Sequence, residues 1–199
     1  MNSNILIYLL IIFIIIISYK IYKESDSFNL RCIISSIDGH RYCVRDRLKL
    51  EMAADRLAEV NTRLKKLVKY IKNKFPEEDL VKRIVKNYNP KRIYETLPTS
   101  EYTAYSENKG EKIAFCLDTE KNSNGKIIDI NTLMYVALHE LAHTSCISTG
   151  HNDEFWSNFK FLIIQAKAIN IYNPVDYKKS NARYCGTYIT DNPFYDYNP

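Results

Sequence analysis

Residues 5–18 form an apolar run that Tyr19 extends, Lys20 breaks, and Ile21 and Tyr22 resume. Coiled as a helix, residues 5–22 would span roughly 27 Å, just short of a hydrocarbon core. Lys20 and Lys23 can reach headgroups, and Tyr19 and Tyr22 suit an interface. Met1 to Asn4 carry no basic side chain and no Ala-x-Ala follows, which argues against a cleaved signal peptide. The run has no polar face, which argues against a buried core helix. The pattern predicts a membrane anchor over 1–24 and a folded domain over 25–199. The basic flank lies C-terminal to the span, which places that domain on the cytoplasmic side.

Beyond a polar linker at 25–29, residues 30–37 read as a strand. Asp38-Gly39 reads as a two-residue turn, and 40–45 as the return strand of a β-hairpin. Ala53, Leu57, Val60, Leu64, Leu67 and Ile71 then recur at helical spacing, with Arg63, Lys65, Lys66, Lys69 and Lys72 opposite. Phe75-Pro76 ends that helix, Glu77-Glu78-Asp79 opens a shorter one, and Asn87 to Pro90 stop it. Residues 98–110 read as a loop with some extended character, 112–117 as a strand, and 122–125 as a loop. A helix over about 132–145 follows, capped by Asp129 or Asn131. Another begins after Gly150, with Phe155, Phe159, Leu162, Ile163 and Ala166 on one side. The tail from Asn173 is rich in Tyr, Pro, Asn and Asp. The fold class is α+β and mainly helical, with an N-terminal hairpin and an edge strand before the helix of residues 132–145.

The 199 residues are 46% hydrophobic and 26% charged, which excludes collagen-like and wholesale disordered chains. A net charge of +5 permits contact with anionic surfaces without requiring it. The basic helix face reads first as a solvated surface. Anionic lipid and nucleic acid are the other partners it could meet, and no base-reading motif points to the latter. The five cysteines are scattered, with no C-x-x-C, and no Asn-x-Ser/Thr sequon occurs. That pattern suggests thiols in a reduced compartment, acting as small core residues.

The chemistry concentrates in His139-Glu140-Leu141-Ala142-His143. Four residues is about one helical turn, so both imidazoles leave the same face and can hold one Zn²⁺. Glu140 sits one step round, placed to exchange protons with a water. His151, directly after Gly150, is the expected third ligand. Asp153 and Glu154 are the alternatives, with a simpler role in the first turn of the next helix. Cys146, three residues past His143, points round the helix. Three protein ligands with one open position is the catalytic zinc arrangement, whereas structural sites fill all four. Tyr177, Arg183, Tyr184 and Tyr188 could stabilise an oxyanion, though packing is the simpler role for each.

His139-Glu140-Leu141-Ala142-His143 followed by Gly150-His151-Asn152-Asp153-Glu154-Phe155-Trp156 resembles the WLM and SprT-like (Spartan-type) zinc metalloproteases. The soluble part also resembles uncharacterised WLM-like proteins of large DNA viruses. The resemblance implies a zincin-like domain with His139, His143 and His151 as zinc ligands and Glu140 as general base. It implies a polypeptide substrate, added as a strand alongside an edge that would be residues 112–117. A metzincin is disfavoured, because the third histidine lies eight residues on and no Met-turn methionine follows. The overall expectation is a membrane-tethered zinc metallopeptidase, on a host or virion membrane if the chain is viral. A non-catalytic membrane-anchored scaffold and a DNA-stimulated protease of DNA–protein crosslinks are the competing readings.

Overall fold

The computed structural model describes residues 3–25, 30–121 and 126–197. Most of the expected linker and the loop at 122–125 therefore lie outside the described residues. Helix α1 (Ser3–Glu24) is the one helix among the described residues that is long and apolar enough to cross a membrane. Its apolar side chains stand exposed.

Strands β1 (Leu30–Ile34) and β2 (Arg41–Arg45) form the expected hairpin. The connection is longer than a two-residue turn. It is closed by hydrogen bonds from Ser35 N to His40 O and from Gly39 N to Ser35 O. Only Gly39 of the Asp38-Gly39 pair has positive φ, so the type I′ expectation fails. Helix α2 (Leu50–Lys74) follows, then α3 (Asp79–Asn87). The sequence pattern missed β3 (Ile93–Glu95) and β4 (Ala104–Glu107), the latter within the stretch read as a loop. Strand β5 (Lys112–Phe115) is as expected.

The five strands form a mixed sheet in the order β1-β2-β3-β5-β4. Strand β5 is parallel to β3 and antiparallel to β4, so it is interior, and β4 is the edge. All four β5 residues are buried. A strand covered on both faces shows no alternation, so its interior position was concealed in the sequence.

Helix α4 (Ile130–Ser145) packs against β4, β5, α2, α3 and helix α5 (Asp153–Ala168). Asp129 caps α4 by accepting from Thr132 N at 2.9 Å. Phe155, Phe159, Leu162, Ile163 and Ala166 are all buried, as their spacing predicts. The tail folds into a hairpin, β6 (Ala182–Tyr184) and β7 (Thr187–Ile189), and a single turn, α6 (Pro193–Asp196).

The cysteine expectation is overturned. Cys32 and Cys43 are bonded directly across the β1–β2 ladder, and Cys116 is bonded to Cys185 of the tail hairpin. Only Cys146 is free, and it is buried. The odd count and irregular spacing hid pairings that strand register and tail docking create. The basic face of α2 is also largely engaged. Arg63 and Lys66 donate to the Ile171 and Ile169 carbonyls just beyond α5, and Lys65 pairs with Asp38.

Candidate metal centre

Helix α4 delivers His139 and His143 from successive turns of one face. The helix ends at Ser145, the chain reverses through Gly150 at φ +84°, and His151 returns to the pair just before Asn152 caps α5. An L side chain rarely adopts that backbone, so glycine is suited to the reversal. The three imidazole centroids form a nearly equilateral triangle with sides of 5.0, 4.9 and 4.9 Å. The Nε2 atoms of His139 and His151 stand 2.9 Å apart, and one nitrogen from each ring falls within 4.8 Å of the others. Zn²⁺ binds imidazole nitrogen at about 2.0–2.1 Å, so a small inward turn of the rings would close these three nitrogens on a single ion.

Phe155 forms the floor of the triad. Its buried ring lies 4.8, 4.5 and 4.6 Å from the rings of His139, His143 and His151. Burial, followed by the neighbouring imidazoles, pushes the His139 pKa down to about 3. Burial first, then His151 and Lys109, lowers His143 to about 4. Both are therefore neutral at physiological pH, the form that ligates a metal. Glu140 is 5% exposed, and burial alone pushes its carboxyl up to about 8.

Glu140 and the three histidines line a cleft of about 480 Å³. Its opposite wall is the sheet edge and the turn beyond it: Tyr102, Ala104, Tyr105, Ser106, Asn108 and Lys109. The edge beside the triad is β4, which corrects the expectation that residues 112–117 would serve. Strand β4 pairs with no strand but β5 among the described residues, which makes it an edge of the sheet.

Of the third-ligand alternatives, neither acid joins the triad. Asp153 begins α5 and is exposed. The Glu154 carboxylate accepts from Ser148 Oγ (2.6 Å), Ile147 N (2.9 Å) and Ser148 N (3.1 Å) and pairs with Arg83. The bond from Ser148 Oγ, followed by the Ile147 amide, holds its pKa down to about 2. Cys146 Sγ instead faces Asn158 and the Ala142 carbonyl.

None of the oxyanion candidates lines the cleft, although Tyr184 lies near enough to Glu140 to feel its charge. Tyr184 is buried, its hydroxyl donating to Thr103 O and accepting from Cys116 N. Tyr177 packs on Tyr135, Arg183 pairs with Glu120, and Tyr188 lies beside Arg183. The cleft-wall residues Tyr102, Tyr105 and Lys109 were missed, because β4 is too short to show a period and Tyr102 and Lys109 lie in the segments flanking it.

The WLM domain family matches residues 58–194. An uncharacterised protein of Acanthamoeba polyphaga mimivirus is 35% identical over 189 residues, covering 92% of this chain and 93% of its own length. An uncharacterised protein of Invertebrate iridescent virus 6 is 33% identical over 70 residues, 35% of this chain and 39% of its own. The crystal structure of Wss1 from Saccharomyces cerevisiae aligns at a TM-score of 0.46 with 18% identity, over 62% of this chain and 84% of that one. Both expected resemblances, to the family and to proteins of large DNA viruses, are therefore met. The chain belongs to the WLM domain family, a proteolytic family that is zinc-dependent in general.

Proposed function

We propose that the protein is a zinc-dependent metallopeptidase held at a membrane by α1. The observation that carries the reading is the convergence of His139, His143 and His151 in a cleft that also contains Glu140 and runs beside a sheet edge. His139, His143 and His151 would hold zinc, which when bound supplies a Lewis acid and lowers the pKa of water. A polypeptide laid along β4 receives main-chain hydrogen bonds, so selection among side chains is weak. Glu140 takes a proton from a water in the cleft and returns it to the departing amine. A nearby dication favours the carboxylate form, offsetting the burial that otherwise keeps Glu140 protonated.

Zinc content and peptide hydrolysis by the full-length protein in mild detergent test this reading. About one zinc per chain, lost in His139→Ala, together with turnover lost in Glu140→Gln, is the expected result. A folded protein that takes up no metal would favour the scaffold alternative.

Fractionation tests the tether, since removal of residues 1–24 should release the chain from membranes. Lys20 and Lys23 favour a cytoplasmic domain, whereas two disulfides favour an oxidising compartment. Protease protection of sealed vesicles decides between them.

A further inference from the structure

Lys109 departs from expectation in both backbone and side chain. It lies in the β4–β5 turn at φ +58°, between Asn108 at +46° and Gly110 at +112°. Asparagine and glycine tolerate this region, but lysine rarely enters it, and Asn-Gly is the favoured pair in such hairpin turns. Its ammonium turns inward to the carbonyls of Cys146 (2.8 Å), Ile147 (2.9 Å) and Ser148 (2.7 Å). Three donors thus meet three consecutive acceptors.

Those carbonyls belong to the segment that joins His143 to His151. Its amides at Ile147 and Ser148 are taken by Glu154 from the other side. The segment between the second and third ligands is therefore held by a cation on its carbonyls and an anion on its amides. The turn is itself seated on the metal-binding helix. A Cβ added to Gly110 would stand 2.7 Å from Thr144 Cγ2, so only glycine permits this approach.

Capping the helix end does not account for Lys109. Asn87 already donates to the Thr144 carbonyl and Arg83 to that of Ser145. The carbonyls that Lys109 takes lie beyond the helix, in the loop.

We propose that Lys109 is a positioning residue of the metal centre. Its ammonium fixes residues 146–148 so that His151 is presented to His139 and His143, tying the cleft's strand wall to its third ligand. Strained backbone maintained by such a contact is a common mark of a functional position. This inference rests on the metallopeptidase reading.

The test uses the full-length protein in mild detergent with Co²⁺ as the probe. It measures affinity by competition with a chelator, the visible absorption band, and the melting midpoint of the metal-free protein. In Lys109→Gly the turn becomes Asn-Gly, so the midpoint should hold or rise. Co²⁺ affinity should nevertheless fall on the order of ten- to a hundredfold, with an altered band, as for loss of other residues that orient ligands. In a His151→Ala background the same substitution should cause no further loss, because the residue through which Lys109 acts is gone. Lys109→Met keeps the stem and removes the donors, and it carries the same expectation if the glycine variant does not fold. Wild-type affinity and band in either folded variant would overturn the role of Lys109 alone. No Co²⁺ uptake by the unmodified protein would overturn the metal centre and this role together.

Discussion

Replacing Glu140 with glutamine separates two consequences of its burial. Glu140 is 5% exposed and its pKa rises from 4.5 to about 8 through desolvation. An acid whose pKa is raised by folding binds its proton more tightly in the native state. Its stabilising contribution is complete below about pH 4.5 and is lost as pH climbs toward 8. Every tenfold gain in proton affinity is worth about 1.4 kcal/mol, so in metal-free protein this one group costs about 3 kcal/mol at pH 7. Glutamine keeps the shape and never ionises. Metal-free Glu140→Gln should therefore match the parent near pH 4.5 and exceed it progressively above. At pH 7 the gain is roughly 6–12 °C in melting midpoint for a chain of this size. All other titrating groups are shared, so the difference between the two melting curves isolates Glu140. In the metal-loaded state the same variant should keep its zinc and lose about two to four orders of magnitude in peptide turnover. A stability difference flat from pH 4.5 to 8 would refute the burial argument. Retained turnover would refute the role of Glu140 as base.

Four further outcomes follow from the geometry. His151→Ala should lose most bound zinc by elemental analysis, whereas Glu154→Gln should retain it; the reverse would transfer the third ligand to Glu154. Glu154 is stabilising above its unfolded pKa of 4.5, and that contribution fades as pH falls through about 2. Acid melts of Glu154→Gln and the parent should therefore converge at the low end. Phe155→Ala removes the buried floor beneath the imidazoles and should cost about 3–5 kcal/mol in urea unfolding, with weakened metal binding. Without reductant the unfolded chain should show one titratable thiol, Cys146. Opening the 69-residue Cys116–Cys185 loop should cost about 4 kcal/mol, against about 3 for the 11-residue Cys32–Cys43 loop.

Helices α2 and α5 were legible because each buries a stripe at helical spacing. Ala53 to Ile71 and Phe155 to Ala166 lie in the core as their periodicity requires. The His139–His143 pair was legible because its geometry is local to one helix turn. What escaped is non-local. Strands β3 and β4 are three and four residues long, too short to display alternation, so the edge was assigned to β5. The Cys116–Cys185 bond depends on a tail hairpin docking near the end of β5. The Glu95, Asp118, Arg45 and Arg47 cluster is assembled from distant segments, and it pairs charges whose isolation in the core would be costly.

The same distinction explains why the third member of the triad was ambiguous in sequence, whereas in the structure His151 joins the pair. His139 and His143 are placed by the backbone of one helix, and any helix there would bring them together. His151 follows five residues with neither helix nor strand geometry, so nothing local specifies its direction. Its position is set by three other parts of the fold. Arg83 of α3 holds the carbonyl at the end of α4, Lys109 of the β4–β5 turn holds the carbonyls of the loop, and Glu154 of α5 holds its amides. Glu154, the acid that looked like a rival ligand, is one of the groups that place the histidine. Two roles at positions three residues apart in one short motif differ only in whether the side chain faces the cleft or the loop. Spacing alone does not encode that difference; the packing of α5 against α4 does.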